Sequence, residues 1–340
     1  MSKLGLVWML CLLFGSESSF LSSYSFIEVS SDQNPWNRDT HLLPKSPDEH
    51  GKEAIDGKLR FLLATSFQTG SQGTGKVWVI PPSNPLASFV LISGLAEPTG
   101  LCYDKNNAFL YVVDQGDGRV LQFEIDTDLK QRFILANYIA ATIYTGESPY
   151  DCSIDSYGNL YLADSSRNAI LLVSYLDLWS GFSGQERVLY LRTSTALSLN
   201  QPVSLSIPDS QTLFFLNHAD TEDAGLLNQA PAKAVYLNQW RIHSSIRMLQ
   251  QPWGLALSPD YAYYSTEDGA LWAYRLAKPN LYMKTQGLQR PRGVAYAEGE
   301  VYVADYDAGE VYSLRAGREE EQLRGVVRIE GVYEVYCVSD

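Results

Sequence analysis

Histidine, cysteine and a recurring aspartate are the residues of this chain whose types could do chemistry. The four histidines, His41, His50, His218 and His243, are too scattered in the sequence for a zinc set, and His218 reads as a loop residue. GSQGTGK at Gly70–Lys76 has the glycines of a phosphate cradle. It lacks the G-x4-G-K-[ST] spacing and has no helical pattern behind it. No G-x-S-x-G elbow marks a nucleophilic serine. Asp114, Asp164 and Asp305 recur at one place in a repeat. That makes them turn-formers, whose carboxylates accept hydrogen bonds from the backbone of a tight turn, and not a catalytic set. Cys102, Cys152 and Cys337 could pair.

The elements that hold these residues are short strands. PRGVAYAEGEVYVADYDAGEVYSL, Pro291 to Leu314, reads as three half-buried antiparallel strands separated by glycine-bearing turns. The unit returns after Pro98, Pro149, Pro202 and Pro252, so the five prolines lie 51, 53, 50 and 39 residues apart. Four short strands at a period of roughly 40–50 residues make a β-propeller blade. Four residues beyond each recurring aspartate stands Gly118, Asn168 or Gly309, the left-handed corner of a hairpin. The fifth copy is aligned through Ser265 and Gly269. The fourth carries HADTEDAGLLNQAPAKAV in place of a short hairpin, and the third carries LDLWSGFSGQERV between strands. LRFLLATS, GKVWVIPP and ASFVLISGL form a copy that lacks its first strand, and GVYEVYCVSD at the other end supplies it. The expected fold is therefore all-β, a six-bladed β-propeller closed by the C-terminal strand pairing into the N-terminal blade. Its blades are residues 59–95 with 331–340, then 98–148, 149–201, 202–251, 252–290 and 291–330.

The P-x-G openings, the YVVD, YLAD and YVAD strands and the D-x3-[GN]-x-[VI] hairpins resemble the NHL-repeat and related six-bladed propellers. The likeness covers about residues 59–340. It implies a site at one mouth of the central channel, on the residues that open each innermost strand. Here that ring contains Tyr150, Asp151, Trp253, Arg292, Tyr333 and Glu334, with Thr99. Aromatics, one cation and two carboxylates suit a polar ligand. Equally, Asp151, Arg292 and Glu334 can pair with one another. Gluconolactonase-like propellers hold a cation with a P-N-G asparagine, and neither P-N-G nor E-G-P-x-W occurs here. No cofactor or metal ligand set is expected.

Of the four cysteines, Cys11 lies in the apolar run at the N-terminus that reads as a cleaved signal peptide, and the other three fall on strands assigned to the innermost position of neighbouring blades. Counted back from Asp104, Asp155 and Asp340, Cys102 has one parity and Cys152 and Cys337 the other, so Cys102 can meet either. Cys102–Cys337 would clamp the closure and is the favoured disulfide. Cys102–Cys152 is the rival, and three buried thiols are the remaining alternative.

The N-terminus bears on where the protein works. Lys3, an apolar run from Leu4 to Phe14 and small residues after it predict a signal peptide over residues 1–18. That implies a secreted protein or one in the lumen of the secretory pathway. SSFLSSYSF behind it also fits the bipartite leader of a plastid of secondary origin. Residues 19–58 read as an irregular polar leader, and 59–340 as the propeller. A formal charge of −13 argues against nucleic acid as a partner. No run is long and apolar enough for a membrane helix. The reading is an exported, non-catalytic binding module for a protein partner or small ligand, at the channel mouth or insertion loops. Its alternatives are a divergent metal-dependent hydrolase or lyase of the gluconolactonase or strictosidine-synthase-like class, and a structural subunit of a larger assembly.

Overall fold

Strands such as FLLATS, FLYVVD and EVYVAD are apolar at nearly every position because both of their faces are covered. Leu63 packs towards the second blade, while Leu62 and Ala64 pack towards the sixth. The computed structural model describes residues 61–338, apart from 72, 128–132, 136–139, 181–185, 193–198, 209–210, 219–224, 233–241, 278–279 and 318–320. The expected signal peptide and leader lie outside the described residues.

Six antiparallel sheets, five of four strands and one of five, are the six blades of a β-propeller. Their innermost strands are Val332–Val338, Pro98–Asp104, Pro149–Ile154, Pro202–Ser206, Pro252–Leu257 and Pro291–Ala297. Val332–Val338 pairs with Phe61–Ser66, with Leu62 opposite Cys337 and Ala64 opposite Val335. The ring is thus closed by its two ends, which leaves the first blade no open inner edge. Six apolar clusters fill the six interfaces between neighbouring blades. Each well-buried Leu, Val, Ile or Phe there stabilises by roughly 1.5–3 kcal/mol.

One backbone bond recurs in every blade. The residue after the second strand donates its N–H to the carbonyl that precedes the innermost strand: Phe67 to Gly331, Gln115 to Glu97, Ser165 to Ser148, His218 to Gln201, Glu267 to Gln251 and Tyr306 to Arg290. The hairpin corners Gly118, Asn168, Gly269 and Gly309 take φ of 62°, 50°, 81° and 60°, the left-handed values that their residue types suit.

Three local readings are corrected. In the fifth blade Thr266, not Ser265, stands opposite the proline, as Asp114 and Asp305 do in theirs. That hairpin is one residue shorter, so the Ser265–Gly269 spacing misaligned it. In the fourth blade the insertion is not one loop, because Gly225–Pro231 forms the third strand and pairs with Thr212–Asn217. Its apolar Leu227 and Ala230 are buried, which holds the strand in place. Finally, the aspartates do more than bind their own turns. Asp114 Oδ1 accepts the N–H groups of Ala96 and Glu97, and Asp305 accepts those of Gln289 and Arg290. These carboxylates tie down the connection entering their blade. Asp164 alone of the three keeps chiefly to its own turn, through Arg167 N–H at 3.0 Å, and also accepts the Tyr144 hydroxyl at 2.6 Å.

Candidate functional site

The second and third residues of the innermost strands form two stacked rings around the channel, and the two differ in chemistry. The outer ring holds Thr99, Tyr150, Val203, Trp253, Arg292 and Tyr333. The inner ring, one residue deeper, holds Gly100, Asp151, Ser204, Gly254, Gly293 and Glu334. Its glycines let adjacent strands crowd together. A Cβ on Gly100 would lie 2.7 Å from Asp151 Cα, and one on Gly254 would lie 2.2 Å from the Arg292 carbonyl oxygen. Three side chains are then left in this ring: Asp151, Ser204 and Glu334.

The outer ring is interlocked. Tyr150 stacks on Trp253 with ring centroids 5.8 Å apart, and its hydroxyl hydrogen-bonds that of Tyr333. Phe67 packs on Tyr333 at 5.0 Å, and Tyr306 meets Tyr333 edge-on at 6.0 Å. The Arg292 guanidinium sits 4.0 Å over the Trp253 ring. Arg292 Nη1 and Trp253 Nε1 both donate to Glu267 Oε2, at 2.6 and 2.5 Å. Burial alone would raise the Glu267 carboxyl, but Arg292, Trp253 and Arg290 hold it below the usual carboxylate range. Tyr150 and Tyr333 are 9% exposed and Arg292 7%, so this mouth is closed.

Beneath it, a cavity of about 200 Å³ is lined by Asp151, Ser204 and Glu334 and runs along the strands to Ser153, Ser206, Leu257 and Tyr296. The residues at that far end are partly exposed. Asp151 Oδ2 accepts Ser204 Oγ and Leu205 N–H, both at 3.0 Å, and its Oδ1 accepts Cys152 N–H at 2.7 Å. Burial is the largest influence on it and pushes its carboxyl up to about 7 against those bonds. Glu334 accepts the Val335 N–H at 3.0 Å. Burial and then the nearby Asp151 charge push its carboxyl well above the usual range. The pair therefore resists carrying two negative charges.

The structure thus divides the ring expected from the sequence. Tyr150, Trp253, Arg292 and Tyr333 form the plug, while Asp151 and Glu334 face the cavity. Arg292 pairs with Glu267 and not with Asp151 or Glu334, which corrects the three-way pairing considered above. Sequence reasoning missed Glu267, Phe67 and Tyr306. Each directly follows its blade's second strand, the position that makes the recurring backbone bond. His218 occupies that position in the fourth blade and packs 3.9 Å from Trp253 between ring centroids. Thr99 spends its hydroxyl on the Tyr150 carbonyl, at 2.7 Å. Among the described residues, no three His, Cys, Asp or Glu side chains gather closely enough to hold a metal ion.

The cysteines are sorted by interface. Cys102 and Cys152 share the cluster between the second and third blades, with their sulfurs 2.7 Å apart. Cys337 packs in the cluster between the sixth and first blades, beside Trp78 and Val327. The structure therefore brings together the rival pair and not Cys102 with Cys337. Parity allowed both, and the direction in which the blades succeed one another decides.

No protein-family model and no curated protein sequence matches the chain. Solved structures do. A chain of a nidogen/laminin complex is similar over 82% of this chain and 98% of its own, at 15% identity and a TM-score of 0.62. A gluconolactonase from Xanthomonas campestris is similar over 80% and 87%, at 15% identity and a TM-score of 0.55. The virginiamycin B lyase of Staphylococcus aureus reaches 67% and 69% coverage, 8% identity and a TM-score of 0.45. The first two of these are a protein of a binding complex and an enzyme, so what their likeness supports is the fold, a six-bladed β-propeller.

Proposed function

We propose that this chain works as a non-catalytic binding propeller and that its channel takes a small ligand with a cationic head. The observation that carries this reading is the carboxylate pair of a buried Asp151 and a half-buried Glu334, lining one cavity beneath a closed mouth. Two carboxylates that resist double ionisation gain most from a positive charge placed between them. A cavity of about 200 Å³ suits an ion or an amine head more than a large molecule. The ligand site expected at the mouth thus moves one layer inward. A cation must displace whatever proton the pair holds, so binding strengthens as pH rises.

Thermal melting of the wild type and Glu334→Gln, with calcium or with ethylammonium at pH 6 and pH 8, tests the reading. The expected result is a rise in Tm for the wild type, larger at pH 8 and absent in the variant. Equal shifts in both proteins, or none in either, would overturn it.

The second reading is a divergent hydrolase or lyase. It is favoured by the raised carboxyl pKa values, which acid–base catalysis uses. Arg292, once grouped with those carboxylates, is bound into the plug instead. Export through residues 1–18 belongs to the proposal. Its test is whether those residues carry a fluorescent reporter into the secretory lumen and whether adding residues 19–58 redirects it to a plastid. The structural-subunit reading rests on residues 19–58. Truncating them without loss of assembly would remove it.

A further inference from the structure

We propose that Cys102 and Cys152 form a disulfide that staples the second blade to the third beside the channel. The innermost strands of these blades run side by side at close range, because Gly100 has no side chain to hold Asp151 away. Cys102 lies two residues beyond Gly100, so it points from the same face of its strand towards the third blade. There it meets Cys152 sulfur to sulfur at 2.7 Å. A disulfide needs about 2.05 Å, a closure of roughly 0.7 Å that small side-chain rotations supply. The two cysteines are 1% and 3% exposed, and Tyr111, Val113, Leu160 and Leu162 enclose them. Cys337 faces a different interface and does not compete.

The chemistry balances as a two-electron oxidation. One thiol loses its proton, and the thiolate attacks a small disulfide such as oxidised glutathione, forming a mixed disulfide and releasing one thiol. The second cysteine then loses its proton and attacks the mixed disulfide, which forms the Cys102–Cys152 bond and releases the second thiol. Two protons and two electrons leave the protein and reduce the small disulfide to two thiols. Burial raises both cysteine pKa values in the folded protein, which suppresses the thiolate there. Exchange therefore occurs while the chain folds. The bond anchors the strand that carries Asp151, whose carboxylate accepts the Cys152 N–H.

The test is refolding of the full chain in glutathione buffers of graded redox ratio, followed by an acid quench, alkylation and peptide mapping without reduction. The expected product links the peptides of Cys102 and Cys152, with Cys11 and Cys337 alkylated. Cys337→Ala leaves the linkage unchanged and Cys152→Ala abolishes it. The oxidised wild type melts higher than its reduced form. Alkylation of Cys102 and Cys152 at every ratio would overturn the proposal, as would a Cys102–Cys337 linkage. Cys152→Ala also guards against a folding artefact. If that variant folds and Cys102 stays unlinked, the bond is specific; if Cys102 then links to Cys337, it is not.

Discussion

The two rings of the channel sit one residue apart along the same strands, yet one is a plug and the other a pocket. In the outer ring each polar side chain has a hydrogen-bond partner. Arg292 and Trp253 share Glu267, the Tyr150 and Tyr333 hydroxyls bond each other, and Thr99 bonds a backbone carbonyl. In the inner ring, three glycines clear space, and a buried Asp151 and a half-buried Glu334 stand together with no salt bridge to a basic side chain among the described residues. Ring position in a propeller therefore does not by itself identify a site. What separates structure from function here is whether the charged groups are already paired with opposite charges, as Arg292 is with Glu267.

The comparison is sharpened most by breaking the plug. Trp253→Ala removes the stack on Tyr150, the cation–π contact with Arg292 and a hydrogen bond to Glu267. It should cost about 3 kcal/mol in urea unfolding while leaving the carboxylate pair below in place. Next comes Gly254→Ala, whose new Cβ would meet the Arg292 carbonyl and Val294 N at 2.2 and 2.7 Å. Backbone cannot yield as a side-chain tip can, so a loss of roughly 2 kcal/mol is expected by the same measurement.

The pH dependence of stability separates the rings more finely. The folded pKa values of Asp151 and Glu334 are raised above the roughly 4 of an unfolded carboxyl. Between about pH 4 and the folded values, the native state holds protons that the unfolded chain has released. The pair's contribution is therefore fully present below about pH 4 and is lost as pH rises, by up to about 1.4 kcal/mol per pH unit for each group. Glu334→Gln should flatten that fall between pH 5 and 8 and gain on the wild type at the alkaline end. Glu267, held below the usual range by Arg292, gives the opposite slope, stability lost on acidification, and a smaller one because it is partly exposed.

Much of the fold was legible because it repeats. The proline spacing, the hairpin corners and the C-terminal strand missing from the first blade all survive in the order of residues. Where copies drift, the legibility failed. A hairpin one residue shorter hid Thr266 behind Ser265, and a polar stretch hid the strand Gly225–Pro231. The site was half legible. Asp151, Arg292 and Glu334 stand in the expected ring, but their separation into plug and pocket depends on which strand face meets which neighbour. The partner of Arg292 lies outside that ring, on a hairpin 25 residues away in sequence. The cysteine pairing failed to emerge for the same reason, because parity gives the face and not the direction of travel around the channel.

The central claim is that recognition belongs to the inner ring and not to the mouth. Isothermal titration of calcium and of ethylammonium at pH 8 into the wild type, Glu334→Gln and Tyr150→Phe tests it most directly. Tyr150→Phe deletes only the hydroxyl that bonds Tyr333 in the plug. The account predicts saturable binding of at least one of these cations to the wild type and Tyr150→Phe, and none to Glu334→Gln. Binding that survives in Glu334→Gln, binding lost in Tyr150→Phe, or no binding to the wild type would contradict it.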